Sequence, residues 1–224
     1  MALTYILTVA SGAPTSGADS TNAVAAIVAS VPGATEALLF TPATTHDPFL
    51  DDGPAPPLAV QLAFPDIATL EAALVVGSRL AALRDLWPDA EIAEQAMLVR
   101  RFPVPNPAST SPQPCTYMVA YNGTAANENA WLSHYIAHHP RLMARLPGIR
   151  QLEVYTRLDW CSAMPWQRAF ALQRNKVVFD SPTALTAALS SPERQAMRAD
   201  FHALPAFHGQ VTHFAMHTQR LISA

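Results

Sequence analysis

Apolar positions recur along the chain at two periods, and the switches between them mark the secondary-structure elements. Alternating or continuous apolar runs predict strands at about 3–10, 35–42, 57–64 and 92–101, and again at 114–121, 149–157, 167–179 and 209–219. Helical spacing fills the gaps, at about 20–31 and 66–86 early in the chain and at 127–146 and within 182–203 later. Ser191-Pro192-Glu193 reads as a fresh helix start, with Ser191 as N-cap and proline at the first helical position. The resulting order is β-α-β-β-α-β, twice.

The two halves are also alike in sequence. Val31-Pro32-Gly33 returns as Leu146-Pro147-Gly148, a shift of 115, and at the same shift Phe40-Thr41 meets Tyr155-Thr156. Residues 61–74 meet 176–189, matching Phe64, Leu70, Ala72, Ala73 and Leu74 to Phe179, Leu185, Ala187, Ala188 and Leu189. Thr4-Tyr5 pairs with Thr116-Tyr117 near the start of each half, and Ala96-Met97 with Ala215-Met216 near the end. Each half is then a split-βαβ, ferredoxin-like unit, whose antiparallel sheet carries helices on one face only. The bare face needs a cover, and two copies in one chain provide it by packing sheet to sheet. The expected fold is α+β, a single-chain pseudo-dimeric α+β barrel with helix layers outside. Its parts are a degenerate ferredoxin-like repeat at 1–102, a proline-rich linker at 103–113 and a second repeat at 114–224.

Composition narrows the function classes. A chain of 224 residues, half of them hydrophobic, can bury a sizeable core. Its net charge of -3, with 14 Lys+Arg, offers no footprint for nucleic acid. No run approaches the ~18 apolar residues of a membrane span. The start, MALTYILTVASGA, lacks the positive n-region of a signal peptide, so a cytoplasmic location is expected. Cys115 and Cys161 have neither CxxC spacing nor the number for a disulfide framework, and read as a buried hydrophobe and a loop thiol.

The chemistry concentrates in HYIAHHPRLMARLPG, residues 134–148. Trp131, Leu132, Tyr135, Ile136, Leu142, Met143 and Leu146 form one helical stripe, and His139 falls inside it. His134 and His138 fall on the opposite side with Arg141 and Arg145. Their i, i+4 spacing suits zinc, but they lack the Glu of HExxH and have cationic neighbours, so no metal site is expected. Pro140 cannot donate to the carbonyl of Ile136, which predicts a kink or a helix restart beside His139. That histidine is either a buried side chain satisfied by the backbone or a general base in a pocket.

The second half resembles the EthD-like family of the dimeric α+β barrel superfamily. The likeness rests on His139 with Leu142, on Leu146-Pro147-Gly148, and on Val178-Phe179-Asp180-Ser181 before the Leu- and Ala-rich stretch 183–189. The family pattern is His-x-Pro-Leu, then Leu-Pro-Gly. Here the proline follows its histidine at once, as Pro140, and the spacing to Leu142 and Pro147-Gly148 favours His139 over His138 as the family histidine. The resemblance implies a small enzyme or auxiliary protein acting on small organic molecules. Relatives in the superfamily include cofactor-free monooxygenases, lactone isomerases and haem-dependent proteins, and a shared fold does not choose among them.

Two strands add polar candidates by period 2. In 149–157 Glu153 and Tyr155 share a face, and in 209–219 His213 and His217 do. These polar faces are expected to point into the barrel, where they either line a pocket or knit the halves together. The expected site is therefore His139 as base, with Tyr155, Glu153, His213, His217 and Tyr135 lining the pocket. In the first half His139 falls on Val24 at the 115 shift, so a single site is expected. The expected function is oxidoreductase-type or isomerase/lyase-type chemistry on a small cyclic or aromatic compound, with no obligatory cofactor. Haem held by one of the strand histidines is the alternative, without a CxxCH signature behind it. A non-catalytic ligand-binding barrel and a filled structural barrel compete with the enzyme. The partner expected is a small organic molecule, not nucleic acid or a membrane, and self-association as a homo-oligomer stays open.

Overall fold

The computed structural model describes residues 2–11, 19–109 and 111–222; residue 110 of the linker and residues 12 and 13 of the N-terminal run lie outside them. The first half contains β1 (Leu3–Val9), α1 (Asp19–Ala29), β2 (Glu36–Pro42), β3 (Leu58–Phe64), α2 (Ile67–Ala73), α3 (Leu83–Leu86) and β4 (Ile92–Phe102). The second contains β5 (Cys115–Ala125), α4 (Glu128–Met143), β6 (Ile149–Arg157), β7 (Gln167–Arg168), β8 (Ala171–Phe179), α5 (Pro182–Leu189), α6 (Pro192–Ala203) and β9 (Phe207–Ile222). The helix expected over 66–86 is broken. Gly77 takes a positive φ of 86 degrees, as Gly33 (74) and Gly148 (75) do in the turns that follow α1 and α4, and the Ser78 hydroxyl donates to the Ala73 carbonyl. The strand expected over 167–179 divides into β7 and β8.

Pairing runs β4-β1-β3-β2 in the first half and β6-β8-β5-β9 in the second, the same order in both. The halves meet at two antiparallel seams, β2 with β9 and β4 with β6, so eight strands close into one barrel. The sheet-to-sheet cover expected from the sequence is achieved edge to edge, which leaves no strand edge of the eight unpaired. The helices lie outside. Tyr5, Leu7, Leu39, Leu62 and Leu70 build the core under α1–α3, and Tyr121, Trp131, Tyr135, Leu152 and Leu185 the core under α4–α6.

The barrel interior is stratified along its axis. At one end Lys176 pairs with Glu153 (3.0 Å), Arg101 with Glu153 (2.9 Å) and Arg220 with Glu36 (3.3 Å). Further apolar side chains fall in two groups, Leu38, Phe40, Ala59 and Met216 in one and Ile6 and Met97 with the Tyr155 ring in the other. At the other end lies a cavity of about 280 Å³ bordered by Arg174. Burial alone would raise the carboxyl of Glu153, but Lys176, Tyr155 and Arg101 outweigh it and hold the group at about 2.

β9 corrects one expectation. Its period 2 is as read, but the sides are exchanged. Met216 packs inside the barrel with Phe40, whereas Ala215 belongs to the core beneath the helices, and with it go His213 and His217. The outer side can take a histidine because a loop from the first half brings a carboxylate to it.

Candidate functional site

α4 begins at Asn127, whose side chain caps the Ala130 amide, and runs unbroken through Pro140. The proline sits within the last turn, so it removes one hydrogen bond without the restart expected beside it; the Ala144 amide still reaches the Pro140 carbonyl at 2.9 Å. His139 therefore remains inside the helix, on its buried face, rather than capping a new one. α6 lies alongside. Ser191 is its N-cap by position, but the hydroxyl donates to the Ala188 carbonyl instead of capping an amide.

Between these two helices and strands β5, β8 and β9 is a cavity of about 300 Å³. Its walls are chiefly apolar and aromatic, from Tyr117, Val119, Tyr121, Met143, Val177, Leu189, Met197 and Phe201. Phe49 and Leu50, from the acidic loop after β2, border it as well, and the Arg198 guanidinium lies 4.6 Å from the Phe49 ring centre. Such a volume is at the small end of ligand sites and suits a compact organic molecule.

Three carboxylates organise its polar groups. Asp200 on α6 sits 2.7 Å from Nδ1 of His139, and the other ring nitrogen of His139 has no protein partner among the described residues. Asp52 receives both the backbone N–H of His213 (2.8 Å) and its Nδ1 (2.9 Å). Asp47 accepts the Tyr117 hydroxyl (2.9 Å) and an Arg194 N–H (3.0 Å). Burial pushes both imidazoles below their ordinary value; the partner carboxylates pull the other way and Arg194 adds to the depression. Burial likewise raises the phenols of Tyr117 and Tyr121, the latter to about 12. With an ionised carboxylate on Nδ1, each histidine carries its proton there and leaves Nε2 as a lone pair.

Of the residues expected to share a pocket with His139, the structure brings only His213 to the cavity. Tyr135 stands one layer behind, fully buried, its ring 4.7 Å from that of His139 and its hydroxyl accepting from Asn175 at 2.7 Å. Glu153 and Tyr155 are on the opposite side of the sheet, inside the barrel, hydrogen-bonded to each other. His217 shares the face of His213 but lies beyond the cavity wall. The rings of His134 and His138 meet at 4.4 Å with a tilt of 43 degrees, and His134 also approaches Asp200 at 3.7 Å. Asp47, Asp52, Arg194 and Asp200 were not anticipated. The first two belong to a proline-rich loop in the half that lacks a counterpart of His139, and the others look like ordinary charges of an amphipathic helix.

Of the two strand histidines considered for haem, His213 borders the cavity and His217 does not. Among the described residues no group of three or more metal-binding side chains occurs, and no helix is long and apolar enough to cross a membrane.

No family model matches the sequence, and no curated protein matches it. Solved structures do. An anthrone oxidase-like protein superposes at a TM-score of 0.65 with 14% identity, covering 100% of this chain and 96% of that one. A putative monooxygenase from Fusobacterium nucleatum subsp. nucleatum gives 0.59 with 8% identity over 98% and 92%. A mutant chlorite dismutase from Candidatus Nitrospira defluvii gives 0.56 with 9% identity over 96% and 91%. These likenesses establish the fold, and their differing names show how little the fold alone fixes the chemistry. The chain has the dimeric α+β barrel fold, with both halves of the barrel in one polypeptide.

Proposed function

We propose that this protein is an EthD-like small-molecule enzyme, a tandem duplication of the ferredoxin-like unit, in which His139 is a general base acting on a small cyclic or aromatic compound. The observation that carries the reading is the His139–Asp200 pair at an apolar cavity. The carboxylate fixes the Nδ1–H tautomer, burial keeps the ring neutral, and Nε2 is left to accept a proton. The imidazolium formed on accepting it is stabilised by the same carboxylate, while aromatic walls hold a flat substrate and exclude water.

A weakly acidic C–H or O–H is the group such a base can use. The anion left behind either regains a proton at another atom, an isomerisation, or gives electrons to dioxygen, an oxidation with no obligatory cofactor. Similarity to an anthrone oxidase-like structure adds anthrones to the phenols and lactones worth testing.

The test is turnover of those three classes by wild type, His139→Ala and His139→Gln, with ligand binding followed by intrinsic fluorescence. The reading expects one class to turn over and His139→Ala to lose about 10²–10⁴-fold in kcat while still binding ligand. Unchanged turnover in His139→Ala sinks the assigned base. Binding without turnover by wild type makes the protein a ligand-binding barrel instead.

A further inference from the structure

The second cavity, at the open end of the barrel interior, contains a cation without a counter-charge. Lys176 and Arg194 each have a carboxylate, Glu153 at 3.0 Å and Asp47 at 3.0 Å. Arg174 has none among the described residues. Its Nε donates to Oε1 of Gln95 at 3.1 Å, and no protein acceptor meets its terminal nitrogens. Gln95 is itself fixed, because its amide donates to the Ala171 carbonyl at 2.8 Å. The guanidinium is thus oriented from behind, with its two-pronged end uncommitted. Burial lowers its pKa to about 10, which leaves it charged at neutral pH.

An unpaired cation in a partly desolvated space is costly to the fold, and an anion in the same space offsets that cost. The cavity of about 280 Å³ fits one small molecule, with Ile6, Ala59, Met118, Ala120 and Phe214 as apolar walls. Thr8 and Thr212 border it as well. A planar carboxylate matches the guanidinium fork in two parallel hydrogen bonds.

We infer that the open end of the barrel is a binding site for a small monocarboxylate with a compact apolar body, held by Arg174 and separate from the cavity of His139. The sheet lies between the two: Arg174 and Met118 face inward, whereas His213 and Tyr117 face the helices.

The probes are benzoate, acetate, inorganic phosphate and, as a neutral isostere, benzyl alcohol, titrated calorimetrically into the full chain. Benzoate is expected to bind this site one per chain, tighter than acetate or phosphate, and an equal concentration of benzyl alcohol is expected not to displace it. Arg174→Met is expected to weaken benzoate at least about tenfold, the worth of one charge-assisted bond, whereas His139→Ala leaves it unchanged. Side-chain ¹⁵N–¹H spectra of wild type provide a readout that does not depend on a variant folding: benzoate should shift the Arg174 guanidinium resonances. Benzoate binding that survives Arg174→Met, or that His139→Ala abolishes, overturns the site. So does an Arg174 resonance that none of the anions moves. Tighter phosphate than benzoate overturns the monocarboxylate assignment.

Discussion

Replacing Asp200 with Asn removes the charge that sets the His139 tautomer while nearly preserving shape. The native Nδ1–H to carboxylate bond is 2.7 Å long, and both side chains are largely buried. A hydrogen bond to a charged partner in such a place contributes about 1.5–3 kcal/mol, which favours the Nδ1–H tautomer by about 10- to 150-fold. An asparagine can either accept from Nδ1–H or donate to a bare Nδ1, so the preference collapses or inverts. Where it inverts, the proton moves to Nε2 and the base is lost. Asp200 also raises the pKa of His139 against burial, so Asp200→Asn lowers that pKa further. Long-range ¹⁵N–¹H spectra report the tautomer directly, and comparison with His139→Gln assigns the resonance among the eight histidines. Wild type should show protonated Nδ1 and bare Nε2; Asp200→Asn should show a mixture or the reverse, with turnover falling about 10²–10⁴-fold. A wild-type ring protonated at Nε2 refutes the argument, as does a variant with unchanged shifts and turnover.

Acid should destabilise the protein in two stages. His139 and His213 are held below their ordinary 6.5, so the unfolded chain takes up protons first and stability falls below about pH 6.5, by up to about 1.4 kcal/mol per pH unit for each ring. Glu153, held at about 2 against an ordinary 4.5, adds a further loss as the pH drops below 4.5. Urea unfolding at pH 7.5, 5.5 and 4 measures both, and equal stability at pH 7.5 and 5.5 contradicts the neutral imidazoles. Asp47→Ala should cost about 3–5 kcal/mol, since it strands the Arg194 charge in a pair whose side chains are each only 8% exposed. The same unfolding assay tests it, and a cost under about 1 kcal/mol would mean that water reaches the guanidinium.

The strands, the helices over each half and the inner stripe of α4 are legible from periodicity, because burial on one face is what periodicity records. His139 is legible for the same reason. β9 shows where that signal stops. Its two faces, His213-Ala215-His217 and Thr212-Phe214-Met216, are both mixed, and alternation distinguishes faces without saying which is inside. The neighbours decide: Met216 fits among Phe40, Leu38 and Ala59, and His213 meets Asp52. Asp200 and His139 are 61 residues apart, and Asp52 and His213 are 161 apart, so no local spacing relates either pair. The seams are equally silent in the sequence, since any strand edge can pair with any other.

The loop carrying Asp47 and Asp52 leaves directly from the seam between β2 and β9, where the Ala43 amide bonds the Ala215 carbonyl at 3.0 Å. Parting that seam would withdraw both carboxylates from the cavity. Closure of the barrel and assembly of the cavity are thus a single equilibrium, linked as any ligand is linked to the state it prefers. A molecule bound beside His213 is therefore expected to act as a clasp on that seam, slowing amide exchange along Leu38–Thr41, a stretch it need not touch.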